Sequence, residues 1–184
     1  RIVQAISQAN RHQLKVALLF VDLDNFKTIN DSLGHNVGDD YLKDVAQRLR
    51  LAVRKSDIVA RQGGDEFVIG LTDVSEIQDI STVASTVLAR MALPFVSKET
   101  EIASSCSIGI SVFPDDGIDY DSLLRASDIA MYQAKESGRN LFRFYDEAMN
   151  SNIQQNLLLV SSLRVAMSRR EFVLHYQPVV HLST

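Results

Sequence analysis

Arg61-Gln62-Gly63-Gly64-Asp65-Glu66-Phe67 is the stretch from which the fold can be read. An apolar run, Ile58-Val59-Ala60, precedes the glycines and another, Phe67-Val68-Ile69, follows the acids. Two short apolar runs joined through a glycine pair predict a tight β-hairpin, because the turn needs backbone freedom. Asp65 and Glu66 stand on that turn. Adjacent carboxylates repel, so the tip is either a solvated acidic turn or a place where a cation takes the charge. The stretch alone leaves both readings open.

The flanking chain supplies the rest of a mixed sheet. Val16-Ala17-Leu18-Leu19-Phe20-Val21 is a continuous, partly β-branched apolar run, which predicts a buried central strand. It ends in Asp22-Leu23-Asp24, so two acids stand where the strand emerges. A short helical turn with Phe26, Lys27 and Ile29 follows, then a predicted loop over residues 30–35. Asp39 and Asp40 open the next helix, with Leu42, Val45, Ala46, Leu49, Ala52 and Val53 as its apolar stripe. Beyond the hairpin, Ile77 to Met91 predicts an amphipathic helix ended near Pro94. Strands are expected around 95–98, 101–105 and 107–113. Leu123, Ala126, Ala130 and Ala134 mark a helix that Gly138 stops, and residues 141–144 read as a closing strand. Residues 1–11 carry Ile2, Ile6 and Ala9 at helical spacing. Strands and helices alternate but a hairpin interrupts the order, so the class is α+β with a mixed sheet.

Composition narrows the chemistry. The chain has 184 residues, 46% of them hydrophobic, enough for one core. No apolar run approaches the roughly 18 residues of a membrane span, and no secretory signal is visible. The lone Cys106 lies in a strand-like stretch and excludes a disulfide framework. A net charge of −4 argues against nonspecific binding to DNA or other nucleic acid.

Asp22 ends one strand and Asp65 tips the hairpin. If those strands are neighbours, both carboxylates emerge at one edge of the sheet. With a backbone carbonyl such as that of Leu23 they form a hard oxygen set suited to Mg²⁺. Lys27, and the first N–H groups of its helix, could face a phosphate. Lys135 and Arg139 flank the end of the helix before Gly138. They either complement the helix dipole or meet phosphates.

Taken together these residues resemble a family. Gly63-Gly64-Asp65-Glu66-Phe67 is similar to the signature of GGDEF domains, the diguanylate cyclases. Blocks at residues 21–27, 29–31, 34–35, 38–39, 107–111 and 130–140 resemble that family in the family's order, and cover roughly residues 1–145. The resemblance implies a nucleotidyl-cyclase-like fold with a ferredoxin-like core, its sheet mostly antiparallel and flanked by helices. It implies condensation of two GTP into cyclic di-GMP with release of two pyrophosphates. Asp22, Asp65 and Glu66 would be the catalytic acids. Asp22, Asp65 and the Leu23 carbonyl would hold Mg²⁺ or Mn²⁺. Asn25, Phe26 and Lys27 would border the substrate, Asn30 and Asp39 would read the guanine edge, and Lys135 and Arg139 would hold phosphates. Gly63 and Gly64 would let the backbone approach the α-phosphate. Each domain would hold one GTP, so activity requires a homodimer with two domains facing across a two-fold axis.

Arg54-Lys55-Ser56-Asp57 resembles the family's Arg-x-x-Asp motif for product inhibition, with five residues between Asp57 and Gly63. Arg54 would grip a guanine or a phosphate of cyclic di-GMP, and Asp57 would accept from guanine N–H groups. Arg90 is the one arginine on the following helix and lies late on it. Residues 147–168 read as a linker helix. Residues 171–180 resemble the opening strand of EAL domains, the cyclic di-GMP phosphodiesterases, with that family's Glu-Ala-Leu motif and metal ligands absent. The expected organisation is a GGDEF domain at 1–145, a linker helix at 146–170 and the first strand of an EAL domain at 171–184, with the EAL domain in cis in the parent protein. The domain is expected to be cytoplasmic. A silent GTP-binding module that regulates the phosphodiesterase, or a cyclic di-GMP receptor, is the alternative to an active cyclase.

Overall fold

The computed structural model describes residues 1–97 and 100–149, together with isolated residues beyond them. Chain order is α1 (Ile2–His12), β1 (Lys15–Leu23), α2 (Phe26–Leu33), α3 (His35–Ala52), β2 (Ile58–Gly63), β3 (Glu66–Val74), α4 (Ile77–Met91), β4 (Phe95–Ser97), β5 (Thr100–Ile102), β6 (Cys106–Phe113), α5 (Tyr120–Glu136) and β7 (Phe142–Phe144). The main sheet has the order β2-β3-β1-β6-β7, and β4 and β5 pair separately as a small ribbon. Every pairing is antiparallel except β6 with β7, between which α5 carries the chain back along the sheet. The class is α+β with a mixed, mostly antiparallel sheet, as the sequence predicts.

Strand periodicity sorts the core into two layers. On β1, Ala17, Leu19, Val21 and Leu23 point to one face, where they meet Ile29 of α2, Tyr41, Leu42, Val45 and Leu49 of α3, and Ile80, Ala84 and Val87 of α4. Val16, Leu18 and Phe20 point to the other, with Ile2 and Ile6 of α1 and Leu123 and Met131 of α5. Both faces are covered, so β1 and β6 are buried along almost their whole length. This explains why the β1 run is continuous in the sequence rather than alternating.

The apparent alternation of β6 has a different origin. Ser107, Gly109 and Ser111 are the residues that face α5. A methyl group at Gly109 would overlap the Ser127 carbonyl and the Met131 N–H, and Ser111 Oγ donates to the Leu123 carbonyl at 2.8 Å. Small side chains here let the α5 backbone lie directly on the strand.

One boundary differs from expectation. Residues 30–33 continue α2 rather than forming a loop, and α3 begins at His35, four residues before Asp39. Only Gly34 separates the helices, with φ 86° and ψ 158°. Burial of Phe26 and Ile29 outweighs the turn preference of Asn30-Asp31-Ser32. At the C-terminal side, Glu147–Met149 begin a helical turn. Most of the expected helix at 147–168 and strand at 172–176 lies outside the described residues.

The Gly109 contact sets a test of the α5 packing. Gly109→Ala should cost about 1–3 kcal/mol, the usual range for overpacking, read as a lower denaturation midpoint at unchanged m-value. An unchanged midpoint would mean that α5 does not rest on the strand as described.

Candidate functional site

The site forms at the end of the sheet where β1 stops and the β2–β3 hairpin turns. Pairing puts Asp22 opposite Glu66 on β3 and opposite Ser107 on β6. Gly63 pairs with Glu66 across the turn, after a register shift beyond Arg61. The Leu23 N–H donates to the Asp65 carbonyl at 3.2 Å, which ties the end of β1 to the tip of the hairpin. The two acids foreseen at one edge are therefore joined by the backbone itself.

By strand parity Asp22 and Glu66 both face α5. Like charges directly opposed on one sheet face repel. Asp22 is 5% exposed, and burial raises its pKa, with Asp65 and Asp24 adding to the rise. Lys135 of α5 opposes this, its Nζ 2.8 Å from Asp22 Oδ2. Glu66 is also raised, first by burial and then by Asp22, Asp65 and Asp128. Lys135 is thus paired with Asp22 at the end of α5. It is the cation that the opposed acids share.

Gly64 takes a left-handed φ of 50°, which a two-residue hairpin turn requires and glycine supplies without strain. Gly63 needs no such freedom, and a methyl group on it would meet nothing within 4 Å. Neither backbone conformation nor internal packing accounts for glycine at 63, whereas close approach by an outside group would. Among the described residues no group of three or more histidine, cysteine or acidic side chains is arranged to enclose a metal. The donor set is Asp22, Asp65 and backbone oxygen. It fits a hard divalent cation that completes its shell with water and phosphate oxygens.

On the opposite face of the sheet, α3 and the hairpin enclose a cleft of about 420 Å³ lined by Asp39, Leu42, Lys43, Ala46, Val59 and Phe67, among others. Its walls are flat and largely apolar, and Asp39 stands at its edge. Asn30 of α2 lies against α3 by a specific device. A side chain at Gly38 would overlap Asn30 Oδ1, so the missing Cβ is the space in which the amide sits. Asn25 caps α2 with a left-handed φ of 61°, and the in-helix bonds begin with Thr28 N–H to the Asn25 carbonyl. The N–H groups of Phe26 and Lys27 precede these bonds. The Phe26 side chain is turned into the core. It is 8% exposed and stacks on Tyr41 at 6.1 Å between centroids, so the residue contributes to a ligand only through its backbone. Leu23 is limited in the same way.

The structure does not bring Arg54 and Asp57 to this site; they lie at the far end of β2. Asp57 is 3% exposed. Its Oδ2 accepts from the Arg54 N–H at 2.9 Å and its Oδ1 from the Thr72 N–H at 3.3 Å. Its carbonyl accepts from Arg50 Nη1 at 2.7 Å. Each Asp57 carboxylate oxygen thus already holds one backbone donor. Its carboxylate builds the turn into β2, and Arg54 alone of the pair is presented to solvent.

These observations can be set beside known proteins. The model of the diguanylate cyclase GGDEF domain matches residues 1–141. The chain belongs to the GGDEF family. It is 46% identical over 180 residues to the bifunctional diguanylate cyclase/cyclic di-GMP phosphodiesterase MucR of Pseudomonas aeruginosa, covering 98% of this chain and 26% of that protein. It is 38% identical over 179 residues to the cyclic di-GMP phosphodiesterase PdeR of Escherichia coli, covering 97% and 27%. The chain thus spans about a quarter of the length of these relatives. Among solved structures, the GGDEF domain of TpbB (YfiN) from Pseudomonas aeruginosa superposes with a TM-score of 0.81 at 37% identity, covering 84% of this chain and 90% of that one.

Three residues of this GGDEF domain lie at the site without having been assigned a role there from the sequence. Arg61 donates from Nε and Nη2 to the Gly64 carbonyl at 2.9 and 2.7 Å, clamping the turn. Its place in the signature stretch was the available signal. Asp128 of α5 adds a carboxylate near Glu66. Asp24 is buried beside Asp22, with partners described below.

The two members of the Arg-x-x-Asp motif should separate in a stability assay. Asp57→Ala strands two backbone donors and should cost about 1–3 kcal/mol, whereas exposed Arg54→Ala should stay within about 0.5 kcal/mol of the parent. Equal losses by urea denaturation would contradict this division.

Proposed function

We propose that the domain is a diguanylate cyclase that joins two GTP into cyclic di-GMP and releases two pyrophosphates. The observation that carries this is the hairpin tip, whose Asp65 and Glu66 are locked beside Asp22 with Lys135 between the acids and α5. The guanine would enter the α3 cleft, where Asp39 accepts its N–H groups and Asn30 serves the remaining polar edge. The triphosphate would then cross the end of the sheet, past Gly63, toward Lys135, Arg139 and the N–H groups that open α2. Asp22, Asp65 and the Leu23 carbonyl would hold Mg²⁺ or Mn²⁺, which when bound neutralises phosphate charge and assists attack by a hydroxyl.

In-line attack by the 3′-hydroxyl of one GTP on the α-phosphate of the other needs both nucleotides on one axis. One domain supplies one nucleotide, so two domains meet across a two-fold axis and activity follows dimerisation. Exposed Arg54 is positioned to take part in a separate product site, which would bind cyclic di-GMP as an inhibitor. The domain would occupy residues 1–145, followed by a linker helix over 146–170 and the opening strand of an EAL phosphodiesterase domain from 171, in a cytoplasmic setting. A second reading has its own support. The relative PdeR is named a phosphodiesterase alone, so the domain would instead bind GTP and tune its neighbour without making product.

Incubation with GTP and Mg²⁺ at several protein concentrations separates the readings. Cyclic di-GMP should appear at a specific rate that rises with protein concentration. Bound GTP with no product at the highest concentration would favour the regulatory module. Asp65→Asn should reduce turnover more than about 100-fold, beyond the cost of losing an outer-shell partner, with the fold intact by circular dichroism. Retained turnover would remove Asp65 from the metal set. Arg54→Ala should relieve product inhibition, and an unchanged inhibition curve would exclude Arg54 from that site.

A further inference from the structure

Asp24 stands just past the end of β1, two residues after Asp22, and among the described residues no cation partners it. It is 6% exposed. Its carboxylate accepts from Ser105 Oγ at 2.7 Å, Ser107 Oγ at 2.8 Å and the Asn140 N–H at 3.2 Å. Its own N–H donates to the Ser105 carbonyl at 3.0 Å. These contacts join the end of β1 to the start of β6 and to the turn after α5.

That turn needs holding. Arg139 and Asn140 are consecutive non-glycine residues with φ of 62° and 50°, a conformation that persists where the surroundings impose it. From the helix side, the Arg139 N–H donates to the Ala134 carbonyl at 3.2 Å. From the sheet side, Asp24 grips the Asn140 N–H. The turn carries Arg139 and adjoins Lys135, the two cations proposed to meet phosphates. An acceptor-only group suits the place, because the Asn140 N–H can only donate.

We propose that Asp24 is a positioning residue for the triphosphate: by fixing the turn after α5 it sets the place of Lys135 and Arg139 against Asp22 and the hairpin tip. This rests on the reading of the domain as a GTP-binding module. It does not require that the domain turn GTP over.

The test compares the parent chain with Asp24→Asn and with the double variant Ser105→Ala, Ser107→Ala. Affinities for GTP and for GMP are measured in Mg²⁺, and amide hydrogen exchange is followed at Arg139 and Asn140. GTP affinity should fall about tenfold, the equivalent of one good hydrogen bond, while GMP affinity stays within about twofold, since the base subsite on α3 is untouched. Exchange at the two turn amides should quicken while that of α1 is unchanged. A purely structural role would lower both affinities alike and leave their ratio as it was, which would overturn the proposal, as would unaltered exchange in the turn. A parent chain that binds neither nucleotide would refute the GTP-binding reading and the triphosphate role with it. The exchange data would then report separately on whether Asp24 holds the turn.

Discussion

The opposition of Asp22 and Glu66 across β1 and β3 is the constraint on which the site depends. Pairing in the ladder forces the two carboxylates onto one face of the sheet, where Asp22 is buried and Glu66 half-buried. In isolation this costs stability. Lys135 offsets the cost, but only because α5 lies close to the sheet, and α5 lies close because β6 presents serine and glycine to it. A packing decision on one strand therefore governs the electrostatics at the end of another. The arrangement remains acid-rich after Lys135 is counted, so a divalent cation would offset the excess negative charge.

The two faces of the sheet divide the work. The α5 face carries the charged groups: Asp22, Glu66, Asp128 and Lys135. The α3 face carries a largely apolar cleft with Asp39 at its edge. A nucleotide has the same division, a flat base at one end and a polyanion at the other. The end of the sheet is the place where one molecule can reach both faces, and the glycine turn is the lowest wall there.

Much of this was legible in the chain. A continuous apolar run announced a strand buried on both sides, and the glycine pair announced the turn that brings Asp65 to Asp22. Local pattern carries such information because strand parity and turn chemistry act over a few residues. What escaped is long-range. The donors that occupy Asp24 come from positions 81, 83 and 116 residues away. The donor from Thr72 to Asp57 likewise arrives from another strand, so the motif alone did not disclose what the Asp57 carboxylate already holds. Phe26 reads as a motif residue, but its ring is claimed by Tyr41. Residues 30–33 look like a loop by preference and are helical because Phe26 and Ile29 are buried. In each case tertiary contacts decided between two roles that the residue type permits equally.

The space left by Gly38 has a consequence for how the domain can vary. Asn30 Oδ1 occupies the volume that any larger residue at 38 would claim. Positions 30 and 38 therefore form one unit of heritable information, held in two codons. A methyl group added at 38 would make the Asn30 amide swing aside, so changes at the two positions have overlapping rather than additive consequences.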